Sequence, residues 1–465
     1  MLRWTSLLLL LTLGIISWTE GNTVQAGNRK KPNIIFILAD DLGYGDLGCF
    51  GQKKVKTPNI DKLAREGMRF TQAYAGSTVC APSRCTLMTG LHTGHCLVRG
   101  NARVPLRPKD LTVAELLKAA GYATALIGKW GLGEAGSTGV PNKQGFDYFY
   151  GYLNQRHAHN YYPDFLWRNQ KKVMLPNEQS PNNGVAKTKK VYSHDLIMEE
   201  ALKWVRQHKD EPFFLYLALT IPHANNEASP NRSKFAKHGM EVPDLLQYAK
   251  ENWPEPQKAH AAMISYMDRD IGRLMALLAE LSLDEDTLII FTSDNGPHRE
   301  GGANPDFFNS SGGLRGFKRS LHEGGIRVPM IVRWKGHVEP GSKSDHICAF
   351  WDFLPTAAEL TKTKLKSKID GISYLPTILG KKQDQPEFMY WEFHERNFAQ
   401  GVRMGDWKAV RYKFGKLELY NLKQDLSEKN NIAAKHPEIV EQIEDYLESA
   451  RTESQYWKVK VGKKK

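Results

Sequence analysis

The chain has 465 residues, 41% of them hydrophobic, enough for a large core and for two domains. Its formal net charge is +13, but the basic residues are dispersed and no nucleic-acid-binding motif accompanies them. That pattern argues against a nucleic-acid partner and for attraction of a polyanionic substrate. The five cysteines, Cys49, Cys80, Cys85, Cys96 and Cys348, are too few for a disulfide scaffold.

At the N-terminus, Arg3 precedes an apolar run over 7–16, and Val24-Gln25-Ala26 offers small residues before a cleavage point. Residues 1–26 therefore read as a signal peptide, and the protein as exported through the secretory pathway to a periplasmic, extracellular or lysosomal destination. The run is too short to span a membrane, and no second run of spanning length follows.

The run 33–39 predicts a strand buried on both faces and ends in Asp40-Asp41, two carboxylates that repel unless they share a cation. A short helix is expected over 57–67. Over 80–90, Pro82 suits a first helical turn and Gly90 a helix end, which places Cys80 at a helix entrance with Arg84 one turn on. A thiol there is expected to be acidified by the helix dipole and the guanidinium. The alternative is a buried or disulfide-bonded cysteine.

Further along, 111–121 reads as a helix and 123–127 as a second buried strand, with Lys129 just past its end. The segment 145–167 is aromatic-rich and contains Gln155-Arg156-His157-Ala158-His159, as in a sugar-facing loop. A helix over 193–207 leads to a third buried strand at 212–220, followed by His223. An irregular stretch covers 225–256, and an amphipathic helix 259–281. The fourth buried strand, 287–292, ends in Asp294-Asn295-Gly296. A glycine-rich stretch over 300–316 then leads to Lys318, with a strand at 328–334 and a helix at 352–360. From about Gln383 the texture changes to short strands (388–393, 402–410, 417–422) and a helix over 437–449, which predicts a small α+β unit.

Strands alternating with helices imply an α/β fold with a largely parallel sheet. In such sheets sites lie beyond the carboxyl ends of the strands, where Asp40-Asp41, Lys129, His223 and Asp294-Asn295 all fall. Three carboxylates and an amide oxygen make a hard, all-oxygen set, suited to Ca²⁺ or Mg²⁺ rather than zinc.

Cys80-Ala81-Pro82-Ser83-Arg84, with Thr89-Gly90, resembles the sulfatase signature C-x-P-S-R, and the resemblance extends over nearly the whole mature chain. It implies that Cys80 is converted to formylglycine by a formylglycine-generating enzyme. It implies further that Asp40, Asp41, Asp294, Asn295 and the modified Cys80 bind one divalent cation, Ca²⁺ or less readily Mg²⁺. Arg84 and Lys129 would hold the aldehyde hydrate, His223 protonate the leaving alcohol, and Lys318 bind the sulfate. The implied fold is the alkaline-phosphatase-like α/β sandwich: a catalytic domain over 27–383 and a small domain with an antiparallel sheet over 384–465. The implied substrate is a sulfated carbohydrate or an aryl sulfate. A phosphate-ester hydrolase of the same superfamily and a secreted glycan-binding protein with a degenerate site are the alternatives. One departure stands out. Many sulfatases read G-K-W-H-L-G, where this chain has Gly128-Lys129-Trp130-Gly131-Leu132-Gly133, and His157, or else His159, is the expected substitute for the missing imidazole.

Overall fold

The computed structural model describes residues 31–459 except 182, 183, 230, 232 and 396; the expected signal segment 1–26 lies outside the described residues. Ten strands form the main sheet: β1 (Asn33–Ala39), β2 (Met68–Phe70), β3 (Ala123–Lys129), β4 (Tyr148–Tyr152), β5 (Phe165–Arg168), β6 (Lys171–Met174), β7 (Phe213–Ala218), β8 (Thr287–Ser293), β9 (Met330–Arg333) and β10 (Ser342–Ser344). Their spatial order is β10-β2-β9-β8-β1-β7-β3-β4-β5-β6. The central five, β8 to β4, are parallel throughout.

The apolar run of β1 serves both faces. Ile35 and Ile37 pack in the cluster that holds Ile60 of α1 (Pro58–Arg65), Ile197 of α4 (Ser193–Gln207) and Met263 of α5 (Glu255–Glu280). Ile34, Phe36 and Leu38 pack in the cluster that holds Leu87 of α2 (Cys80–Thr89), Leu117 of α3 (Val113–Ala119) and Phe353 of α6 (Phe353–Thr361). The result is a three-layer sandwich with the sheet buried between helices, which is why its central strands carry no polar alternation. Each such fully buried side chain contributes about 1.5–3 kcal/mol relative to exposure.

A second sheet of β11 (Met389–Phe393), β12 (Ala399–Met404), β13 (Trp407–Tyr412) and β14 (Glu418–Asn421) is antiparallel and sequential. Ile443 and Leu447 of α7 (Pro437–Ser449) pack in one cluster with Val402 and Leu419 of this sheet.

Several expectations change here. The segment 402–410 is not one strand, because Gly405 takes a left-handed φ of 55° and turns β12 into β13. Aromatic residues over 148–152 form a fifth parallel strand rather than a loop, and Phe165 to Met174 continue as an antiparallel hairpin. Lys129 is the last residue of β3 and not the first beyond it.

Candidate active site

The register of the parallel strands brings their carboxyl ends to one edge: Ala39 lies beside Ser293 and Ala218 beside Gly128. Asp40 and Asp41 leave β1 there, Asp294 and Asn295 leave β8, Lys129 ends β3, and His223 follows β7. Asp41 adopts a left-handed φ of 66°, a costly conformation for a side-chain-bearing residue, and its N–H donates to Oδ1 of Asp294 at 3.1 Å.

Helix α2 points its N-terminus into the same edge. Cys80 is its first residue, and Gly90 closes it with a φ of 69°, its N–H donating to the Thr86 carbonyl. The Cys80 thiol donates to Oδ1 of Asp40 at 3.3 Å. Arg84, one turn on and fully buried, donates through Nη2 to Asp294 at 2.8 Å and Asp40 at 3.4 Å, and through Nη1 to the Lys129 carbonyl at 2.8 Å. Nζ of Lys129 lies 2.6 Å from Oδ2 of Asp40. Nζ of Lys318 donates to Asp41 at 2.8 Å, to Nε2 of His223 at 2.9 Å and to Glu300 at 3.2 Å.

Burial and mutual charge set the protonation of these groups. Burial pushes the Cys80 thiol well up, and Asp294 and Asp40 add to it. This reverses the expected acidification, because burial, with the two carboxylates adding to it, outweighs the helix end and the nearby lysines. Against its own burial, Asp40 is held well below the usual carboxylate range by Lys129, with His223 and Arg84 assisting. Asp294 is pushed up to about 7 by burial and by Asp40. His223 is held well below the usual imidazole range by burial and then by Lys318. Its Nδ1 faces the Ala224 carbonyl at 2.6 Å, so the proton sits on Nδ1 and Nε2 accepts from Lys318.

The cluster suits a hard divalent cation. Asp40, Asp41, Cys80 and His223 each place a ligand atom within 4.8 Å of the others. Asn295 donates through Nδ2 to Asp41 at 2.6 Å, whereas its Oδ1 is buried without a hydrogen-bond partner. A buried amide oxygen beside three carboxylates is a typical oxygen-donor set for Ca²⁺ or Mg²⁺.

The structure thus brings together Asp40, Asp41, Cys80, Arg84, Lys129, His223, Asp294, Asn295 and Lys318. His157 stays outside the group. Its ring packs 4.5 Å from Phe165 and 5.0 Å from Tyr152. His159 instead stacks on His223 at 4.6 Å and bonds Glu227 at 3.1 Å. The side chain nearest the absent one at Gly131 is Gln155, whose Nε2 lies 2.3 Å from where a Cβ would stand.

Sequence reasoning missed Glu300, which receives Lys318 and also Arg319 at 2.5 Å, and Asn101, whose Oδ1 accepts the N–H of Ala81 at 3.1 Å. Glu300 could have been found as the next acid after Asp294 beyond the β8 end; nothing in the sequence singles out Asn101.

Two lysines and an arginine facing a metal-competent carboxylate set suit a doubly charged, tetrahedral oxyanion. Together with the three-layer sheet, this places the protein among the alkaline-phosphatase-like ester hydrolases. Within that class the chain belongs to the sulfatase family, whose model matches residues 32–363; a model described as N-sulphoglucosamine sulphohydrolase, C-terminal, matches residues 314–453. It is similar to the N-acetylgalactosamine-6-O-sulfatase of Bacteroides thetaiotaomicron, 33% identical over 91% of this chain and 94% of that one. Human arylsulfatase A is 33% identical over 82% of this chain and 75% of its own length. Among solved structures, that of Ps i-CgsB in complex with k-i-k-neocarrahexaose superposes with a TM-score of 0.77 at 29% identity, covering 93% of this chain and 96% of that one. The protein is a sulfuric ester hydrolase.

Proposed function

We propose that this enzyme removes sulfate esters from a sulfated carbohydrate, using a formylglycine made from Cys80 by a formylglycine-generating enzyme before the protein is exported. The observation that carries the reading is the position of the Cys80 thiol, 3.3 Å from Asp40 and within a ring of Arg84, Lys129 and Lys318. The carbohydrate substrate is supported by the two relatives named for sulfated or oligosaccharide ligands. Residues 1–26 serve as the signal peptide, 27–383 as the catalytic domain and 384–465 as the small C-terminal domain.

Asp40, Asp41, Asp294 and Asn295 would hold one divalent cation, Ca²⁺ in preference to Mg²⁺, which when bound neutralises charge on the sulfate oxygens. The modified Cys80 supplies a hydrated aldehyde as nucleophile, splitting one hard displacement into two steps. Arg84 and Lys129 orient that group from the two sides on which they already meet Asp40. Lys318 binds a sulfate oxygen and, donating to Nε2 of His223, shares its proton with the imidazole that faces the departing oxygen. His159, stacked on His223 and anchored by Glu227, keeps that ring in plane. The absence of a side chain at 131 leaves the second step to a proton acceptor other than the family histidine.

Two measurements test this. Mass spectrometry of the Cys80 peptide from protein made in a competent host should show the aldehyde, and Cys80→Ala should fold but release no sulfate. Sulfate release by protein whose Cys80 is wholly unmodified would remove the formylglycine. A panel of defined sulfated saccharides, none of them desulfated, would remove the carbohydrate substrate.

A further inference from the structure

Two cavities open side by side next to Gly131 and share a wall of Arg103, Asn154 and Arg156. The inner one, about 110 Å³, is bounded by Gly131, Gln155 and Asn101; the outer one, about 320 Å³, runs past His157 and Phe165. The inner cavity adjoins the catalytic edge. Asn101 accepts the N–H of the residue that follows Cys80, and Gly131 lies two residues beyond Lys129. A side chain at 131 would run into Gln155, so the glycine makes room for that amide in the wall of the inner cavity.

Both cavities carry unmet polar groups. Nε2 of Gln155 and Nε2 of His157 are buried and have no hydrogen-bond partner among the described residues. Leaving such a group unpaired costs about 1–3 kcal/mol, a cost relieved when either side chain turns toward a polar ligand in the adjoining space. Phe165, packed on His157 and covered by Nζ of Lys172 at 4.0 Å, closes the outer cavity with an aromatic ring and a further cation.

The shared wall is basic. Arg103 and Arg156 are 70% and 63% exposed at their side chains, and each meets a carboxylate that is already engaged elsewhere. Glu134, 3.7 Å from Arg103, takes the Asn154 amide at 2.5 Å; Glu227, 3.2 Å from Arg156, also holds His159 at 3.1 Å. A guanidinium has five N–H groups in a fixed fork, so each arginine retains donors for an incoming anion. Asp164 and Glu134 are the acids on the cavity walls.

We propose that these cavities form a subsite for a saccharide next to the one being desulfated, and that Arg103 and Arg156 select a neighbour bearing its own anion, either a carboxylate or a second sulfate. The substrate is then a chain of at least two rings. This rests on the sulfatase reading for the ring at Cys80, but its test does not.

The probes are three disaccharides without the scissile sulfate, whose second ring is neutral, a uronate or a sulfated sugar, titrated calorimetrically against the intact protein. An anionic neighbour should bind about tenfold more tightly than the neutral one, and the preference should shrink with added salt. The double variant Arg103→Ala/Arg156→Ala, checked by thermal melt to be folded, should bring the affinity ratio close to one. A preference for uronate alone, or for sulfate alone, identifies the anion. Equal affinities in the unaltered protein, or a preference that survives in the double variant, would overturn the proposal. Failure of the sulfatase reading would show differently, as no sulfate release from any sulfated sugar while the affinity ratio persists.

Discussion

Two clusters of buried charge meet the two ends of the segment 318–323, one through Lys318 and one through Glu323, and they are built on different terms. At the strand edge, Asp40, Asp41 and Asp294 face Arg84, Lys129 and Lys318, yet the Asn295 oxygen has no partner and Asp294 is pushed up to about 7. Between the two sheets, Glu323 accepts from Lys408 at 2.9 Å through one oxygen, and from Tyr74 at 2.6 Å and Arg327 at 3.1 Å through the other. Burial raises the Glu323 carboxyl, but Lys408 and Arg327 override it and bring it to about 2. Around Glu323 both carboxylate oxygens are met by protein, although Oε1 of the neighbouring Glu428 is buried without a hydrogen-bond partner; the first cluster has an amide oxygen to spare beside three carboxylates. Buried charge that is fully paired holds a shape, and buried charge left partly open binds something.

The largest expected effect breaks the open cluster. Asp294→Ala, or exhaustive chelation of the unaltered enzyme, should lower turnover by about a thousandfold, and Asp294→Ala should also lower the melting temperature through loss of the bound ion. Full activity after chelation would mean that the open cluster needs no cation.

Next comes Lys408→Met, which keeps volume but strands Glu323 and Glu428 as buried carboxylates. Equilibrium denaturation should show a loss of about 3–5 kcal/mol; an unchanged midpoint would mean the closed cluster is not what couples the two sheets.

A smaller effect is read from the pH dependence of the second cluster. Burial pushes Glu428 up, Glu323 adds to this against Lys408, and the carboxyl reaches about 7 from an ordinary 4.5. The folded protein therefore holds a proton that the unfolded chain has lost, and Glu428 contributes stability that fades as pH rises from 4.5 through 7. Asp352, also pushed up to about 7 by burial, adds a slope of the same sign. Melts of Glu428→Gln against the unaltered protein should differ in slope across that window, and parallel curves would refute the assignment.

The smallest change sharpens the contrast. Tyr74→Phe removes one donor to Glu323 and should cost about 1–2 kcal/mol without altering sensitivity to chelator; increased sensitivity would mean the two clusters are not independent.

Much of this was legible in the sequence where one residue type has one use. Continuous apolar runs announced the parallel core, and short polar groups at four strand ends announced the edge where they meet. The C-x-P-S-R signature placed Cys80 and Arg84 at a helix entrance, where the structure has them. What the sequence hid depends on distance. The thiol's protonation follows from its burial and then from Asp294, more than two hundred positions away, rather than from its own helix. His159 rather than His157 backs His223, because a single 3₁₀ turn, His157–His159, directs the two imidazoles to different surroundings. The aromatic strand β4 lacks the aliphatic signature of its neighbours, and its pairing is decided by the β3 edge.

Glu323 lies five residues after Lys318, and its partner Lys408 comes 85 positions later in the chain. A ribosome releases these residues in that order, so Tyr74 and Arg327 can hold Glu323, and with it the segment presenting Lys318, before Lys408 arrives. The residues of the catalytic edge are thus all made before the second sheet, and Lys408 adds the last charge that ties the two together.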